Sequence, residues 1–255
     1  MAKICVYGRG TMGSALALNL ADKGIDTAVS NREQEWIAPF LSEAGTLSER
    51  LTACATLQDL VDALATPRVV LLMIPSGAPV DQMIAEFAPL LAPGDTIIDG
   101  GNSDFHDTRR REAALREKCL NFVGMGVSGG EEGARFGPSM MVGGAPEAWT
   151  QIAPFMSSIA AQYEGAPCVA HVGPDGAGHF VKTIHNGIEY ADMQMLAEVY
   201  GIMRDGAGMA APAIGDVMAD WNDGPLSSFL TEASAAVLRA EDPETGEPAV
   251  DVYLD

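Results

Sequence analysis

Short apolar runs alternate with segments of helical periodicity through the first half of the chain. The runs predict β-strands at Ile4–Tyr7, Thr27–Ser30, 69–74, 95–98, Asn121–Gly124 and Met140–Gly143. The intervening segments predict helices from Thr11 to Lys23, near 33–44 and 56–65, and over 78–91 and 104–118. Asp104 is a candidate N-cap for the last of these helices. This alternation predicts an α/β fold, a Rossmann-like doubly wound sheet.

The pattern changes after about residue 175. The segments 177–208, 212–221 and 224–240 have helical periodicity, and no strand pattern lies between them. We therefore predict two domains, a Rossmann-like domain over 1–175 and the start of an all-helical domain over 176–255. The tail that follows is polar at first and ends on apolar positions at Val250, Val252 and Leu254.

Composition narrows the classes of function. The 255 residues are 47% hydrophobic and 20% charged, as is ordinary for a globular protein, and the formal net charge is −20. That charge argues against nucleic acid or an anionic membrane as a partner. The stretch 68–75 (RVVLLMIP) is far shorter than the ~20 residues of a membrane span and is predicted to be a buried strand. The chain opens directly as a strand, so no signal peptide is predicted.

Cysteine and histidine positions predict a metal-free cytoplasmic protein. Cys5, Cys54, Cys119 and Cys168 are far apart and form no C-x-x-C pair, which is typical of reduced thiols in the cytosol. The four histidines show no zinc-ligand spacing.

The first predicted strand runs into a glycine-rich loop that matches G-x-G-x-x-G. Its residues are Gly8, Arg9, Gly10, Thr11, Met12 and Gly13. The pattern is weak alone, but here it follows a strand and opens a helix. The glycines allow a tight turn, approach of a pyrophosphate and close helix–strand packing, and the helix N-terminus stabilises phosphate. We predict a dinucleotide site.

The end of the second strand selects between dinucleotides. An NAD site has an acidic residue there to hold the ribose hydroxyls, whereas this chain has Asn31 and Arg32. A guanidinium suits a 2′-phosphate, so NADP is the predicted cofactor. Glu33 and Glu35 lie close by and act against this preference.

Two further glycine-containing turns are candidates for substrate contacts. The stretch 99–103 (DGGNS) follows a strand, and Asn102 there can both donate and accept hydrogen bonds. The stretch 127–133 (VSGGEEG) offers Ser128, Gly129 and Gly130. Each could be a structural turn by itself. Together with the helix described next, they indicate an acidic, polyhydroxylated small molecule.

One helical segment, 176–194, concentrates groups that can do chemistry. The spacing i, i+3, i+4, i+7, i+8 puts one set of polar residues on a single face: Lys182, His185, Asn186, Glu189 and Tyr190. Phe180, Val181, Ile184 and Ile188 fall on the opposite face, which we expect to pack, leaving the polar face to line a wet cavity.

This face suggests general acid–base catalysis. Lysine is a poor base at its ordinary pKa of about 10.4, but burial and a positively charged nicotinamide would lower that pKa. Lys182 would then accept a hydroxyl proton, His185 and Asn186 would orient substrate, and Glu189 would donate a proton. A purely structural Lys182–Glu189 pair is the alternative.

These stretches closely resemble the 6-phosphogluconate dehydrogenase (decarboxylating) family of the pentose phosphate pathway. The matching segments are 8–13, Asn31-Arg32, 97–103, 126–141 and 175–194. The resemblance implies an NADP-binding Rossmann domain, here 1–175, and a helical substrate and dimerisation domain that begins at 176. It also implies hydride transfer from C3 of 6-phosphogluconate, decarboxylation, and protonation to ribulose 5-phosphate.

Roles follow from the resemblance position by position. It implies that Lys182 is the general base and then acid, and that Glu189 protonates C1. The implied substrate contacts are Asn102, Ser128, Gly129, Gly130, His185, Asn186 and Tyr190. The implied NADP contacts are the loop Gly8–Gly13, the triplet Asn31, Arg32 and Glu33, the turn Ile74, Pro75 and Ser76, and Asn102.

The chain departs from the family pattern in two places. Pro75-Ser76 stands where the family usually has Lys-Ala, which removes a positive charge near the cofactor. The family also continues past the point matching Val250–Asp255, into substrate-phosphate ligands and most of a homodimer interface. Two alternatives therefore stay open: a related β-hydroxyacid dehydrogenase, and a truncated, catalytically silent NADP-binding protein.

Overall fold

The structure is a computed structural model that describes residues 1–253 and divides into two compact units, Met1–Ile184 and a second that begins at His185. The first unit contains an eight-stranded sheet in the order β10-β7-β6-β5-β4-β1-β2-β3. Its strands are β1 (Ile4–Tyr7), β2 (Thr27–Ser30), β3 (Leu51–Ala53), β4 (Val69–Leu72), β5 (Thr96–Asp99), β6 (Asn121–Ser128), β7 (Ser139–Gly143) and β10 (Val169–Gly173). A two-residue hairpin, β8 (Gln162–Tyr163) and β9 (Ala166–Pro167), lies outside this sheet.

Helices connect successive strands of the first unit. They are α1 (Thr11–Asp22), α2 (Ile37–Glu43), α3 (Leu57–Ala63), α4 (Ala78–Phe87), α5 (Phe105–Arg116), α6 (Gly130–Phe136) and α7 (Pro146–Ile159). All pairings in the large sheet are parallel except β6 with β7. Crossover helices between parallel strands explain why the sheet is covered on both faces.

The strand alternation places side chains on two separate cores. In β1, Ile4 and Val6 belong to the core that includes Leu16 of α1, whereas Cys5 belongs to the core that includes Phe87 of α4. Successive residues of a strand point to opposite faces, and a sheet covered on both sides therefore needs an unbroken apolar run. The sequence-based prediction of an α/β Rossmann-like sheet followed by a helical domain is confirmed.

Most predicted element positions agree with the structure, but β3, β10 and α6 were not predicted. Asp104 caps α5 as expected, accepting a 2.7 Å hydrogen bond from the backbone N–H of His106. However, β6 continues to Ser128 instead of ending at Gly124, and the turn that follows it opens α6. The sequence analysis also did not identify α7, whose apolar residues include the buried Ile152.

From residue 177 to residue 253 the named elements are helical. They are α8 (Ala177–Gly201), a π-helical turn (Ile202–Gly206), α9 (Ala211–Asn222), α10 (Phe229–Arg239) and α11 (Ala249–Val252). In the second unit α9 and α10 pack through Ile214, Met218 and Leu238. The predicted helix 224–240 begins later, at Phe229, where the Ser228 hydroxyl caps it. Leu254, which we identified as an apolar tail position, lies outside the described residues.

None of the helices within residues 1–253 combines the length and the apolar character needed to cross a membrane. All four cysteines are free thiols, as the sequence predicted. Burial raises the pKa of the Cys5 thiol far above its ordinary value, which makes that thiol chemically inert at neutral pH.

Candidate nucleotide and substrate site

The glycine loop between β1 and α1 cannot accept larger residues at two positions. Gly8 has φ +104°, and a Cβ there would meet the Met73 carbonyl and come within 2.8 Å of Ile74 Cγ2. A Cβ on Gly13 would meet the Gly8 carbonyl. Nothing lies within 4 Å of the Cβ position of Gly10, so space is open in front of the middle glycine. These properties are those that a pyrophosphate-binding turn requires.

Asn31 connects this loop to the end of β2. Its side-chain oxygen accepts a 2.8 Å hydrogen bond from the backbone N–H of Arg9. The Arg9 guanidinium turns back to Ser14, at 2.8 Å from Oγ, and lies over the Phe40 ring at 2.9 Å from its centroid. Burial lowers the pKa of Arg9 to about 10. The Arg9 guanidinium is therefore turned into the protein through Nε and Nη2, while its buried Nη1 atom has no hydrogen-bond partner within residues 1–253.

Arg32 and Glu33 form an ion pair directly after β2. The Glu33 Oε1 atom accepts a 2.6 Å hydrogen bond from Arg32 Nε, and its Oε2 atom accepts one of 3.0 Å from Asn31 Nδ2. The hydrogen bond from Arg32 holds the pKa of the Glu33 carboxyl below its ordinary value. Arg32, the residue predicted to bind a 2′-phosphate, is thus already paired with the Glu33 carboxylate.

A cavity of about 430 Å³ opens at this place. The predicted nucleotide contacts that line it are Gly8, Arg9, Gly10, Asn31, Arg32, Glu33, Ile74 and Pro75. Thr11, Met12, Gly13, Ser76 and Asn102 are not among its lining residues. The sequence analysis missed several that are: Tyr7, Trp36, Met73, Pro79, Gln82, Met83 and Glu86. Trp36 and Met83 lie in the elements that follow β2 and β4, and their position after strand ends is the signal that could have identified them, since ligands bind at that sheet edge.

The loop after β5 is held by a buried carboxylate that the sequence analysis did not single out. Asp99 accepts hydrogen bonds from the Ser103 hydroxyl at 2.6 Å and from the Gly101 N–H at 3.1 Å. Its Oδ2 atom is also 3.5 Å from Arg111 Nη1, and both side chains are almost fully buried. Asn102, between Gly101 and Ser103, is exposed.

Arg111 extends this network to the start of α4. It donates to Asp81 at 2.9 and 3.1 Å and to the Gly77 carbonyl at 2.9 Å. These hydrogen bonds lower the pKa of Asp81 to about 2. One guanidinium therefore connects the loop after β4, which contains Ile74, Pro75 and Ser76, with the loop after β5.

Lys182 is buried against β6 because of glycines on both sides of the contact. A Cβ on Gly126 of β6 would meet Lys182 Cβ and come within 2.9 Å of its Cγ. A Cβ on Gly124 would come within 2.8 Å of His179 Nδ1, and one on Gly178 would meet the Gly124 carbonyl. The missing side chains let α8 approach the strand closely. Gly124 and Gly126 share one face of β6, a signal that the sequence analysis missed.

His179 anchors the first turns of α8. Its Nδ1 atom is 2.6 Å from the Thr108 hydroxyl of α5, and the ring is buried. Burial lowers the pKa of His179, against the opposing effect of the nearby Asp99 carboxylate. His179 is therefore held in place by packing and by its hydrogen bond with Thr108.

The turn between β6 and α6 contains the other predicted substrate contacts of the first unit. Gly129 has φ +128° and Gly130 has φ +62°, and Ser128 is half-buried beside them. A Cβ on Gly129 would come within 2.9 Å of Gly133 Cα, so this turn also depends on glycine. Gly130 has nothing within 4 Å of its Cβ position.

The remaining predicted residues lie on α8 in the second unit. His185 Nδ1 is 3.2 Å from the Asn186 side-chain oxygen and 3.6 Å from Glu189 Oε2. His185, Asn186 and Glu189 are half-buried, and Tyr190 is exposed.

The expectation that α8 packs its apolar side is wrong for three of its four residues. Phe180, Ile184 and Ile188 are exposed, although Phe180 does contact the Phe105 ring. The side that carries His179 and Lys182 is buried instead. The physical reason is the glycine contact with β6, which brings the polar side of the helix onto the sheet.

The glycine loop, the sheet-edge cavity and the two loops joined by Arg111 define a dinucleotide-binding protein of Rossmann type. Residues 3–173 match the family model of the NAD binding domain of 6-phosphogluconate dehydrogenase. Residues 178–255 match that of the 6-phosphogluconate dehydrogenase C-terminal domain. The chain belongs to the 6-phosphogluconate dehydrogenase family.

Individual relatives agree with this assignment. A decarboxylating 6-phosphogluconate dehydrogenase of Chlamydia pneumoniae is 48% identical over 252 residues, covering 99% of this chain and 52% of that protein. An NAD(+)-dependent one from Bacillus subtilis is 44% identical over 252 residues, covering 99% and 53%. The solved Plasmodium falciparum enzyme, studied with its cofactor NADP+ and its substrate 6-phosphogluconate, is 37% identical with a TM-score of 0.93, covering 99% and 54%. The chain spans about half the length of these relatives.

Proposed function

We propose that the protein carries out the NADP-dependent oxidative decarboxylation of 6-phosphogluconate to ribulose 5-phosphate and CO2. The observation that carries this proposal is Lys182, a lysine buried on the glycine face of β6 near the carboxyl end of the strand. Ligands of open α/β sheets bind at that edge, and the glycine loop opens there too. Lysine is rarely buried to this extent, because burial of its charge is costly unless the charge is paired.

The chain fits the cofactor. Gly8, Gly10 and Gly13 leave room for the pyrophosphate, and the adjoining cavity is bordered by Arg32 and Trp36. Thr11, Met12, Ser76 and Asn102 would add contacts outside the cavity lining. NADP+ supplies the hydride acceptor when bound.

Lys182 would accept the proton of the C3 hydroxyl as hydride leaves C3, and would return a proton during decarboxylation. Glu189 would then protonate C1 of the enediol. The proposed substrate contacts, which rest on the family resemblance, are Asn102, Ser128, Gly129, Gly130, His185, Asn186 and Tyr190. The 3.6 Å separation of His185 and Glu189 supports a role for the imidazole in orienting that carboxyl.

The proposal also includes the pentose phosphate pathway, a cytoplasmic location and a homodimer. Four free cysteines fit a reducing compartment. The net charge of −20 fits a small-molecule substrate held by local groups better than a nucleic-acid partner. Light scattering on the purified protein would measure the oligomeric state.

The test is an assay of NADPH and CO2 formation from 6-phosphogluconate, with the intact mass measured on the same sample. Lys182→Ala should abolish NADPH formation while NADP affinity stays nearly unchanged. Thr183→Ala, at the next and exposed position of α8, is the matched control and should keep full activity. Comparable turnover in Lys182→Ala would refute the base assignment. NADP binding without turnover in the unaltered protein would favour a catalytically silent NADP-binding protein.

A further inference from the structure

We propose that Glu33 is a specificity-determining residue that weakens the preference of the nucleotide cavity for a 2′-phosphate, so that the site accepts both NAD and NADP. The inference rests on the proposed function, because it presumes that the cavity holds the adenosine end of a dinucleotide. Family membership does not decide between the two cofactors, since one relative is named NAD(+)-dependent.

Residues at the end of β2 read the ribose 2′ position in Rossmann folds. A carboxylate there accepts hydrogen bonds from the ribose hydroxyls, whereas a guanidinium pairs with a 2′-phosphate. This chain places both groups side by side at Arg32 and Glu33, and both line the same cavity. The opposing groups therefore compete for one position on the nucleotide.

The geometry fixes the carboxylate more firmly than the guanidinium. Glu33 Oε2 is held at 3.0 Å by Asn31 Nδ2, and Asn31 is itself buried and bound to the backbone of the glycine loop. The Arg32 side chain is 86% exposed, and its contact in the structure is Glu33. A bound nucleotide would thus meet a carboxylate held by Asn31 and a cation whose side chain is largely exposed.

The charges around the cavity also reduce its preference for a nucleotide with a 2′-phosphate. Its lining includes two carboxylates, Glu33 and Glu86, and two guanidinium groups. The Arg9 guanidinium is turned to Ser14 and Phe40, which leaves Arg32 to meet a 2′-phosphate. That phosphate must draw Arg32 away from Glu33 and lie beside the Glu33 carboxylate. A ribose with a free 2′-hydroxyl meets neither obstacle and can donate to Glu33.

The expected change in affinity for the 2′-phosphate follows from the exposure of the Arg32–Glu33 ion pair. Ion pairs between exposed side chains are weak, so a phosphate dianion can displace the Arg32–Glu33 pair and NADP is still accepted. Removal of the Glu33 charge should therefore favour the 2′-phosphate by about three- to tenfold, the range expected for one partly exposed charge.

Titration calorimetry with two probes that differ only at the 2′ position tests this inference. Adenosine 2′,5′-bisphosphate should bind Glu33→Gln about three- to tenfold more tightly than the unaltered protein. Adenosine 5′-monophosphate should bind the Glu33→Gln variant with an affinity equal to or lower than that of the unaltered protein. Measurable binding of this probe also shows that the variant is folded. Arg32→Ala combined with Glu33→Gln should lose the gain.

Glu35→Gln is the matched control, because it removes the same charge two residues away at an exposed position outside the cavity lining. The ratio of its affinities for the two adenosine probes should stay close to the ratio of the unaltered protein. An unchanged ratio in Glu33→Gln, or an equal gain in Glu35→Gln, would overturn the role of Glu33 while leaving the nucleotide site intact. Failure of both probes to bind the unaltered protein would overturn the nucleotide site itself, and the proposed function with it.

Discussion

Gly126 of β6 lies directly against the stem of Lys182, so that the strand offers the lysine no side chain at this point. A Cβ on Gly124 of the same strand would come within 2.8 Å of His179 Nδ1, and a Cβ on Gly178 of α8 would meet the Gly124 carbonyl. At each of these contacts a glycine leaves space that a side chain would otherwise fill. The position of Lys182 therefore depends on glycines, which carry no reactive group.

Gly126→Ala should destabilise the protein by about 1–3 kcal/mol, the usual cost of forcing an extra methyl group into a packed contact. Gly187→Ala is the control on α8, because nothing lies within 4 Å of its Cβ position. The control should be neutral or should stabilise by about 0.5–1 kcal/mol, because alanine favours helix over glycine. Urea unfolding curves measure both, and equal effects of the two changes would contradict the close contact.

Arg111→Leu should cost about 3–5 kcal/mol, because it leaves the buried Asp99 carboxylate without its cation. Arg110 makes a comparable set of ion pairs with Asp81 and Asp107, but its side chain is 57% exposed against 1% for Arg111. Arg110→Leu should therefore stay within about 1 kcal/mol. Thermal and urea denaturation of the two variants would be compared, and a similar loss in both would show that Asp99 does not need Arg111.

His179 should make the protein less stable as the pH falls. Burial lowers the pKa of His179 in the folded state, and Arg111 acts in the same direction while Asp99 opposes it. Below the ordinary histidine pKa of about 6.5 the unfolded chain binds a proton that the folded chain resists. Stability from this residue is therefore complete above pH ~6.5 and decreases below it.

The measurement is the melting temperature between pH 8 and pH 5.5, on the order of one unit either side of that ordinary pKa. His179→Gln should flatten part of the decline, whereas His106→Gln, at an exposed position, should not. Parallel curves for the unaltered protein and His179→Gln would show that the imidazole does not contribute.

Local patterns predicted six strands of the large sheet and the glycine loop, because those features are set by neighbours in sequence, but they did not predict β3 or β10. The run Ile4–Tyr7 has to be a strand covered on both faces, and Gly8 to Gly13 have to turn tightly after it. The side of α8 that packs was predicted wrongly, because the deciding contacts come from β6, more than fifty residues earlier. Likewise, helical periodicity cannot reveal that Arg111 reaches Asp99.

Arg111 gives the two loops at the sheet edge a shared restraint. The guanidinium is bonded to Gly77, which follows the turn at Ile74, Pro75 and Ser76, and it lies beside the carboxylate that orders Gly101. Both loops are therefore restrained by contacts that meet at one side chain. We expect amide hydrogen exchange at Gly101 to slow when a nucleotide occupies only the neighbouring loop, because Arg111 contacts the residues that hold both loops.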